Sequence, residues 1–193
     1  MDRFKPSART HRAVVLSLAA LLWSLAWAPP ADAQGENYTF TAGVLGTLGG
    51  SQDADPGDEL DNTGFQINLG AVTQPANHLV VRLGNLGLDS AEQFVNLTDA
   101  DLTYATIGGE YRYRHSYYDS GLYLALGAYR LEGDDAFTGA DADETSLGLS
   151  AGATGEFPIT PRFSVQAELS GHFVDFDAAQ VFVIGGVGVV VHF

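Results

Sequence analysis

The chain has 193 residues, 46% of them hydrophobic and 11% aromatic, with 23 Gly and no Cys. Nine basic residues against 24 acidic ones give a net charge of −15, which excludes nucleic acid as a partner, because nothing would neutralise a run of phosphates. The lack of Cys excludes a disulfide framework, thiolate catalysis, Cys-ligated zinc or iron–sulfur sites and a lipid-anchored N-terminal Cys.

The first predicted element is an export leader. Arg3, Lys5, Arg9 and Arg12 form a positive head, Ala13 to Ala28 run apolar apart from Ser17 and Ser24, and Ala31-Asp32-Ala33 offers the small residues that a signal peptidase needs. The apolar stretch is short for a spanning helix, which wants about 20 residues. Residues 1–33 are therefore read as a signal peptide and 34–193 as a single domain. Removing the leader leaves five basic and 22 acidic residues, a charge of −17, and no Lys, because Lys5 is the only one.

From Tyr38 onward the pattern has period two, the mark of strands with two unlike faces. Eight runs are predicted: Tyr38–Gly49, Thr63–Val72, His78–Leu86, Leu102–Arg114, Gly121–Leu131, Thr145–Phe157, Arg162–Phe173 and Gln180–Phe193. In the second, Phe65, Ile67 and Leu69 alternate with Gln66, Asn68 and Gly70. In the fourth, Ala105, Ile107, Tyr111 and Tyr113 oppose Glu110, Arg112 and Arg114. The fifth is the least clear, since Leu122, Leu124 and Leu126 face Tyr123, Ala125 and Gly127. In the seventh, Phe163, Val165, Ala167 and Leu169 oppose Ser164, Gln166, Glu168 and Ser170. Each run is near the 9–11 residues of a tilted membrane strand.

The connections alternate between long and short, with long ones at Gly50–Asn62, Gly87–Asp101 and Glu132–Glu144. Acidic residues crowd into them: Asp53, Asp55, Asp58 and Glu59 in the first, and Glu132, Asp134, Asp135, Asp141, Asp143 and Glu144 in the third. Long loops on one side and short turns on the other are the habit of outer-membrane barrels.

Alternation alone does not say which face points inward. Three features do. The polar face is Gly, Ser, Thr and Gln with a few Arg and Glu, and the mature chain has no Lys to show to water. With both termini on the short-turn side, Tyr38, Phe40, Tyr111, Tyr113, Phe157, Phe163 and Phe193 fall together on the apolar face, where a membrane boundary gathers aromatic rings. The chain also stops on Phe193, in phase with Val187, Val189 and Val191. On these residues, residues 38–193 resemble the small OmpA/OmpX-type eight-stranded outer-membrane β-barrel proteins. The resemblance implies an all-β, eight-stranded antiparallel up-and-down transmembrane barrel in the outer membrane. It also implies a C-terminal assembly signal at Val187, Val189, Val191 and Phe193, read by the barrel-assembly machinery, with Gly185 a mild departure. Outer-membrane lipids and lipopolysaccharide are the other expected partners, and the expected state is a monomer.

An eight-stranded barrel is just wide enough for its own side chains to fill. Arg82, Glu110, Arg112, Glu156 and Glu168, with Arg130 as a further candidate, are expected to project inward. They should pair, because an unpaired buried ion costs several kcal/mol. A structural or surface-interaction role without catalysis follows, the alternatives being a narrow channel for small solutes and an outer-membrane lipid-modifying enzyme. Glu168, Ser170 and His172 share a face, but a hydrolytic triad needs His between the other two. His115-Ser116 resembles the His-x-Ser motif of outer-membrane lipid A deacylases but is one residue off its spacing. No cofactor is expected; Asp53, Asp55, Asp58 and Glu59 offer hard oxygen ligands of the kind Ca²⁺ takes, and Mg²⁺ is the other cation the acidic connections suit, although the EF-hand order is absent.

Overall fold

Residues whose side chains alternate between two environments gain most from a sheet with two unlike faces, and closing that sheet removes its edges. The computed structural model has this form; it describes residues 39–51, 62–74, 76–88, 97–135, 138–176 and 180–193, leaving aside the side chains of 97–99. The expected leader, Tyr38 and the acidic group Asp53, Asp55, Asp58 and Glu59 lie outside the described residues. Eight strands follow in order: β1 (Phe40–Ser51), β2 (Asn62–Gln74), β3 (Asn77–Leu88), β4 (Leu97–Arg114), β5 (Asp119–Asp135), β6 (Asp141–Pro158), β7 (Phe163–Val174) and β8 (Val181–His192). Each pairs antiparallel with the next, and β8 pairs with β1 to close the barrel.

The register sets the bore. A perpendicular line from Thr41 crosses Gly70, Val80, Gly108, Ala125, Ser150, His172 and Phe182 and returns to β1 at Ser51, a stagger of ten residues. With eight strands, that stagger tilts the strands by about 40° and gives a backbone radius of about 8 Å. Such a cylinder has room for side chains and little else.

The apolar residues point out. Leu122, Leu124 and Leu126 on β5, Leu147 and Leu149 on β6, and Ile107, Leu79 and Val44 on their strands are all exposed, Leu147 at 80%. Arg82, Gln66, Asn68, Glu110, Glu168 and His172 are buried inside. On β6 the outward apolar residues run from Leu147 to Phe157, a rise of about 25 Å along the axis, the height of an outer-membrane barrel's apolar band. Phe40, Tyr111, Tyr113, Phe163 and Phe193 stand exposed at its short-turn end. Phe157 belongs to the same belt and stacks on Tyr118 at 5.5 Å.

Three expectations need correction. The third long connection is mostly strand: β5 continues to Asp135 and β6 begins at Asp141, with a tight turn closed by Gly139 N–H donating to the Asp135 carbonyl. Gly139 takes φ 64° there, a conformation that needs no Cβ. Acid-rich alternation does not look like a strand by hydropathy, so the ribbon read as a loop. Arg130 faces outward, because it shares parity with Leu122, Leu124 and Leu126; it is half-exposed above the apolar band. Finally, the interior is not polar throughout. At the long-connection end Leu86, Leu88, Leu102, Leu131, Phe176 and Phe182 pack into an apolar plug that also includes Tyr104, Tyr129 and Ile184.

Candidate functional site

Below the plug, charged side chains from five strands meet in the lumen. Arg82 on β3 is fully buried and donates through Nε to Glu168 Oε1 and Oε2 at 3.0 and 3.2 Å, and through Nη2 to Glu110 Oε2 at 3.0 Å. Its guanidinium lies 3.5 Å from the centre of the Tyr123 ring. Arg112 reaches back along β4 to Glu110 Oε1 at 2.8 Å and across to Glu156 Oε2 at 2.6 Å. Glu156 Oε1 in turn meets His192 Nε2 at 2.7 Å. The result is an alternating file, Glu168–Arg82–Glu110–Arg112–Glu156–His192. All four residues expected as a lumen charge network, Arg82, Glu110, Arg112 and Glu168, are brought together in it.

Neutral donors fill the remaining lone pairs. Tyr123 O–H donates to Glu168 Oε1 at 2.9 Å, Asn68 Nδ2 to Glu168 Oε2 at 3.3 Å, and Thr154 Oγ1 to Glu110 Oε1 at 3.0 Å. Gln66 donates through Nε2 to Asn68 Oδ1 at 2.8 Å, and its Oε1 accepts from Tyr104 O–H at 2.7 Å. This belt of amide and phenol groups was not assigned a role from sequence. The signal that could have found it is Tyr123 and Tyr104, since a Tyr on the polar face of a strand must carry its hydroxyl to a partner.

The catalytic arrangements weighed from sequence do not assemble as triads. Ser170 Oγ lies 3.0 Å from His172 Nε2, but Glu168 is held by Arg82, Tyr123 and Asn68. The other ring nitrogen, Nδ1, faces the Tyr129 hydroxyl at 3.0 Å, where a triad would have its carboxylate. Ser170 also donates to the Ile184 carbonyl, and His172 is completely buried beneath the plug. His115 pairs with Ser120 at 3.1 Å rather than with Ser116.

Outside the apolar band, Arg130 binds Asp143 in a two-pronged contact of 2.9 and 2.7 Å and touches Glu132 at 2.8 Å. The hydrogen bonds from Arg130 hold the Asp143 carboxyl below the usual carboxylate range. Among the described residues, no group of three or more His, Asp or Glu is arranged to hold a metal ion. Val187, Val189 and Val191 sit on the outward face of β8, and Phe193 is exposed with its N–H donating to the Phe40 carbonyl at 2.9 Å.

No family model matches the chain, and no curated protein matches it in sequence. Solved structures do match in shape. Neisserial surface protein A aligns with a TM-score of 0.61 at 16% identity, over 82% of this chain and 98% of that one. Ail, the attachment invasion locus protein of Yersinia pestis, aligns with a TM-score of 0.55 at 16% identity, over 80% and 97%. The N-terminal β-barrel domain of Pseudomonas aeruginosa OprF gives 0.52 at 12% identity, over 83% and 100%. At these identities the likeness shows the shared eight-stranded barrel fold and nothing finer.

Proposed function

We propose that this chain is a small integral outer-membrane β-barrel protein, exported through residues 1–33, with a structural or surface-interaction role. The observation that carries the reading is the outward apolar belt about 25 Å high around an ion-paired, plugged interior. A soluble barrel would place Leu122, Leu124, Leu126 and Leu147 inside and Arg82 and Glu168 in water; here the reverse holds. The fold is that of NspA, Ail and the OprF barrel domain, of which the first is a surface protein and the second an attachment invasion locus protein by name. Membrane fractionation with a heat-modifiable gel shift tests it: the protein should pellet with outer membranes and run faster unheated than boiled. Recovery in an osmotic-shock fluid would refute it.

The proposal carries further parts. Phe193, with Val187, Val189 and Val191, serves as the signal for barrel assembly. Lipopolysaccharide and phospholipid surround a monomer, and Ca²⁺ or Mg²⁺ screens the acidic connections, including Asp53, Asp55, Asp58 and Glu59. Ail has been solved with the heparin analogue sucrose octasulfate, a polyanion. That ligand class does not transfer, because the described long-connection end bears Asp101, Glu132, Asp134, Asp141, Glu144 and Asp175 beside Arg130.

A narrow conduit is the second reading, favoured by buried polar atoms in the lumen that find no partner among the described residues: Arg82 Nη1, Thr47 Oγ1 and Thr106 Oγ1. Such atoms call for water. The apolar plug above them opposes passage, and single-channel recording in planar bilayers decides between the two readings. The Ser170–His172 pair does not support catalysis, because it lacks a carboxylate and an open face.

A further inference from the structure

The apolar plug rests on an imidazole. His172 of β7 has no exposed surface, and its hydrogen bonds fix one tautomer. Ser170 has a single hydroxyl proton and gives it to the Ile184 carbonyl at 3.1 Å, so its oxygen accepts from His172 Nε2–H at 3.0 Å. Nδ1 is then the bare nitrogen, and it accepts from Tyr129 O–H at 3.0 Å. The neutral ring has both nitrogens satisfied and no hydrogen-bonding capacity left over.

Among the described residues, no free carboxylate faces that ring. Tyr104 of β4 lies 4.9 Å from it, centre to centre, and Tyr129 of β5 lies 5.7 Å away. Opposite it across the ladder stand Ser150 on β6 and Phe182 on β8. The charged group that acts on it is Arg82 of β3, of the same sign as an imidazolium. Glu168, on the same face of β7, is held by Arg82, Tyr123 and Asn68. Tyr104, Tyr129, Phe182 and Ile184 are themselves members of the plug. A proton on Nδ1 turns an acceptor into a donor directly against Tyr129 O–H and puts a cation among these side chains. A buried cation without a counter-ion is tolerated only where water or an anion reaches it.

We infer that protonation of His172 parts the plug, so that the lumen is closed at neutral pH and opens to water and small ions on acidification. Histidine is the side chain whose ordinary titration lies nearest neutrality, and its place under the plug makes its charge a packing event. Water reaches the imidazolium from the long-connection end, where Arg130 and Asp143 already stand half-exposed, as Tyr104, Tyr129 and Phe182 separate. Beneath it, Arg82 Nη1 and Thr106 Oγ1, on residues paired across β3 and β4, take up the water that enters. This deepens the conduit reading and rests on it.

The test records the full chain in planar bilayers, its folded state verified by the gel shift after each change of pH. The parent should be silent at neutral pH. Openings should appear as the solution is taken to about pH 4, their probability rising by at most about tenfold per pH unit, the slope of a single proton. Phe182→Ala, or Phe176→Ala should the first not fold, lacks a plug ring and should conduct at neutral pH. If that variant is silent at every pH, the lumen is no conduit and the inference falls with that reading. If it conducts while the parent stays closed in acid, the conduit stands and the switch is overturned. His172→Gln keeps an acceptor for Tyr129 and a donor for Ser170 but takes no proton, and it should stay closed in acid. Acid openings in that variant, or a slope steeper than one proton, would assign the switch to the carboxylates of the lumen file and overturn the role of His172. Should His172→Gln not fold, NMR of the ring nitrogens of the parent in lipid nanodiscs decides. The imidazole must titrate over the range in which openings appear, and a ring that stays neutral through that range overturns the inference.

Discussion

Replacing Arg82 with Met probes the lumen most directly. The substitution keeps most of the side-chain volume and removes the cation between Glu168 and Glu110. Glu110 retains Arg112 and Thr154, but Glu168 keeps only the neutral donors Tyr123 and Asn68. Stranding one buried carboxylate of a broken ion pair costs about 3–5 kcal/mol. Loss of the stacked guanidinium on Tyr123 adds about 1 kcal/mol. Arg82→Met should therefore destabilise by about 4–6 kcal/mol. Glu168→Gln alone leaves Arg82 bonded to Glu110 and should cost about 1–3 kcal/mol. The double variant carries one more substitution than Arg82→Met yet should be more stable than it, which requires a coupling larger than the cost of Glu168→Gln alone. Urea unfolding in lipid vesicles at neutral pH gives these values, followed by circular dichroism because both Trp residues precede residue 34. A cost below about 1 kcal/mol for Arg82→Met, or strict additivity, would show a lumen wet enough to screen its charges and refute the reasoning.

The other predictions concern the plug, the belt and the ribbon. Phe182→Ala removes a fully buried ring packed edge-on against Phe176 at 6.2 Å, should cost about 3–5 kcal/mol, and should produce ion openings in planar bilayers where the parent is silent. Leu124→Arg, at mid-height on the outward face, should cost about 2–4 kcal/mol in lipid vesicles, against about 0–1 kcal/mol for Thr145→Arg above the belt; equal costs would mean that the belt does not face hydrocarbon. Arg130→Gln should raise the Asp143 carboxyl titration towards the ordinary carboxylate value, read by NMR. With its folded-state value depressed, the Asp143 pair contributes above the ordinary carboxylate range and is lost as pH falls. Both partners are half-exposed, so the contribution is small and salt-sensitive.

Strand count, antiparallel order and the facing of most residues were legible because membrane strands obey a strict two-residue alternation, and one-residue slips would invert every side chain. The pairing of Arg82 with Glu168 across the lumen was legible only as a necessity. That buried ions must find partners follows from electrostatics, but which partner depends on the stagger of ten residues, a property of the closed sheet and not of any one strand. The Ser170–His172 contact had the same origin in part: both residues sit on one face of β7, but Tyr129 arrives from β5. The acidic ribbon at the β5–β6 turn was missed because its alternation is of charge with small residues, which hydropathy does not register.

The plug was missed for a more instructive reason: the sense of the alternation reverses within single strands. On β3 the apolar side chains point outward through Leu79, Val81 and Leu83 and then inward at Leu86 and Leu88, while Asn85 takes the outward position and bonds to Thr103 of β4. β4 makes the same change: Ile107 and Ala105 face out, Thr103 and Asp101 follow them, and Tyr104 and Leu102 turn in. On β5 it falls between Leu126 and the pair Arg130 outside, Leu131 inside. A reading that assigns each strand one apolar face averages over this reversal. Physically it is what a barrel must do where its solvent changes from hydrocarbon to water. Below the reversal the wall is apolar outside and ion-paired within; above it the same wall is charged outside and filled like a soluble core. The reversal falls just beyond Ala128 and Leu147, which are paired across β5 and β6, and before Arg130 and Thr145, the next outward pair. The upper limit of the belt is therefore set by a parity change written into three adjacent strands, and the acidic ribbon at the β5–β6 turn stands on the watery side of it.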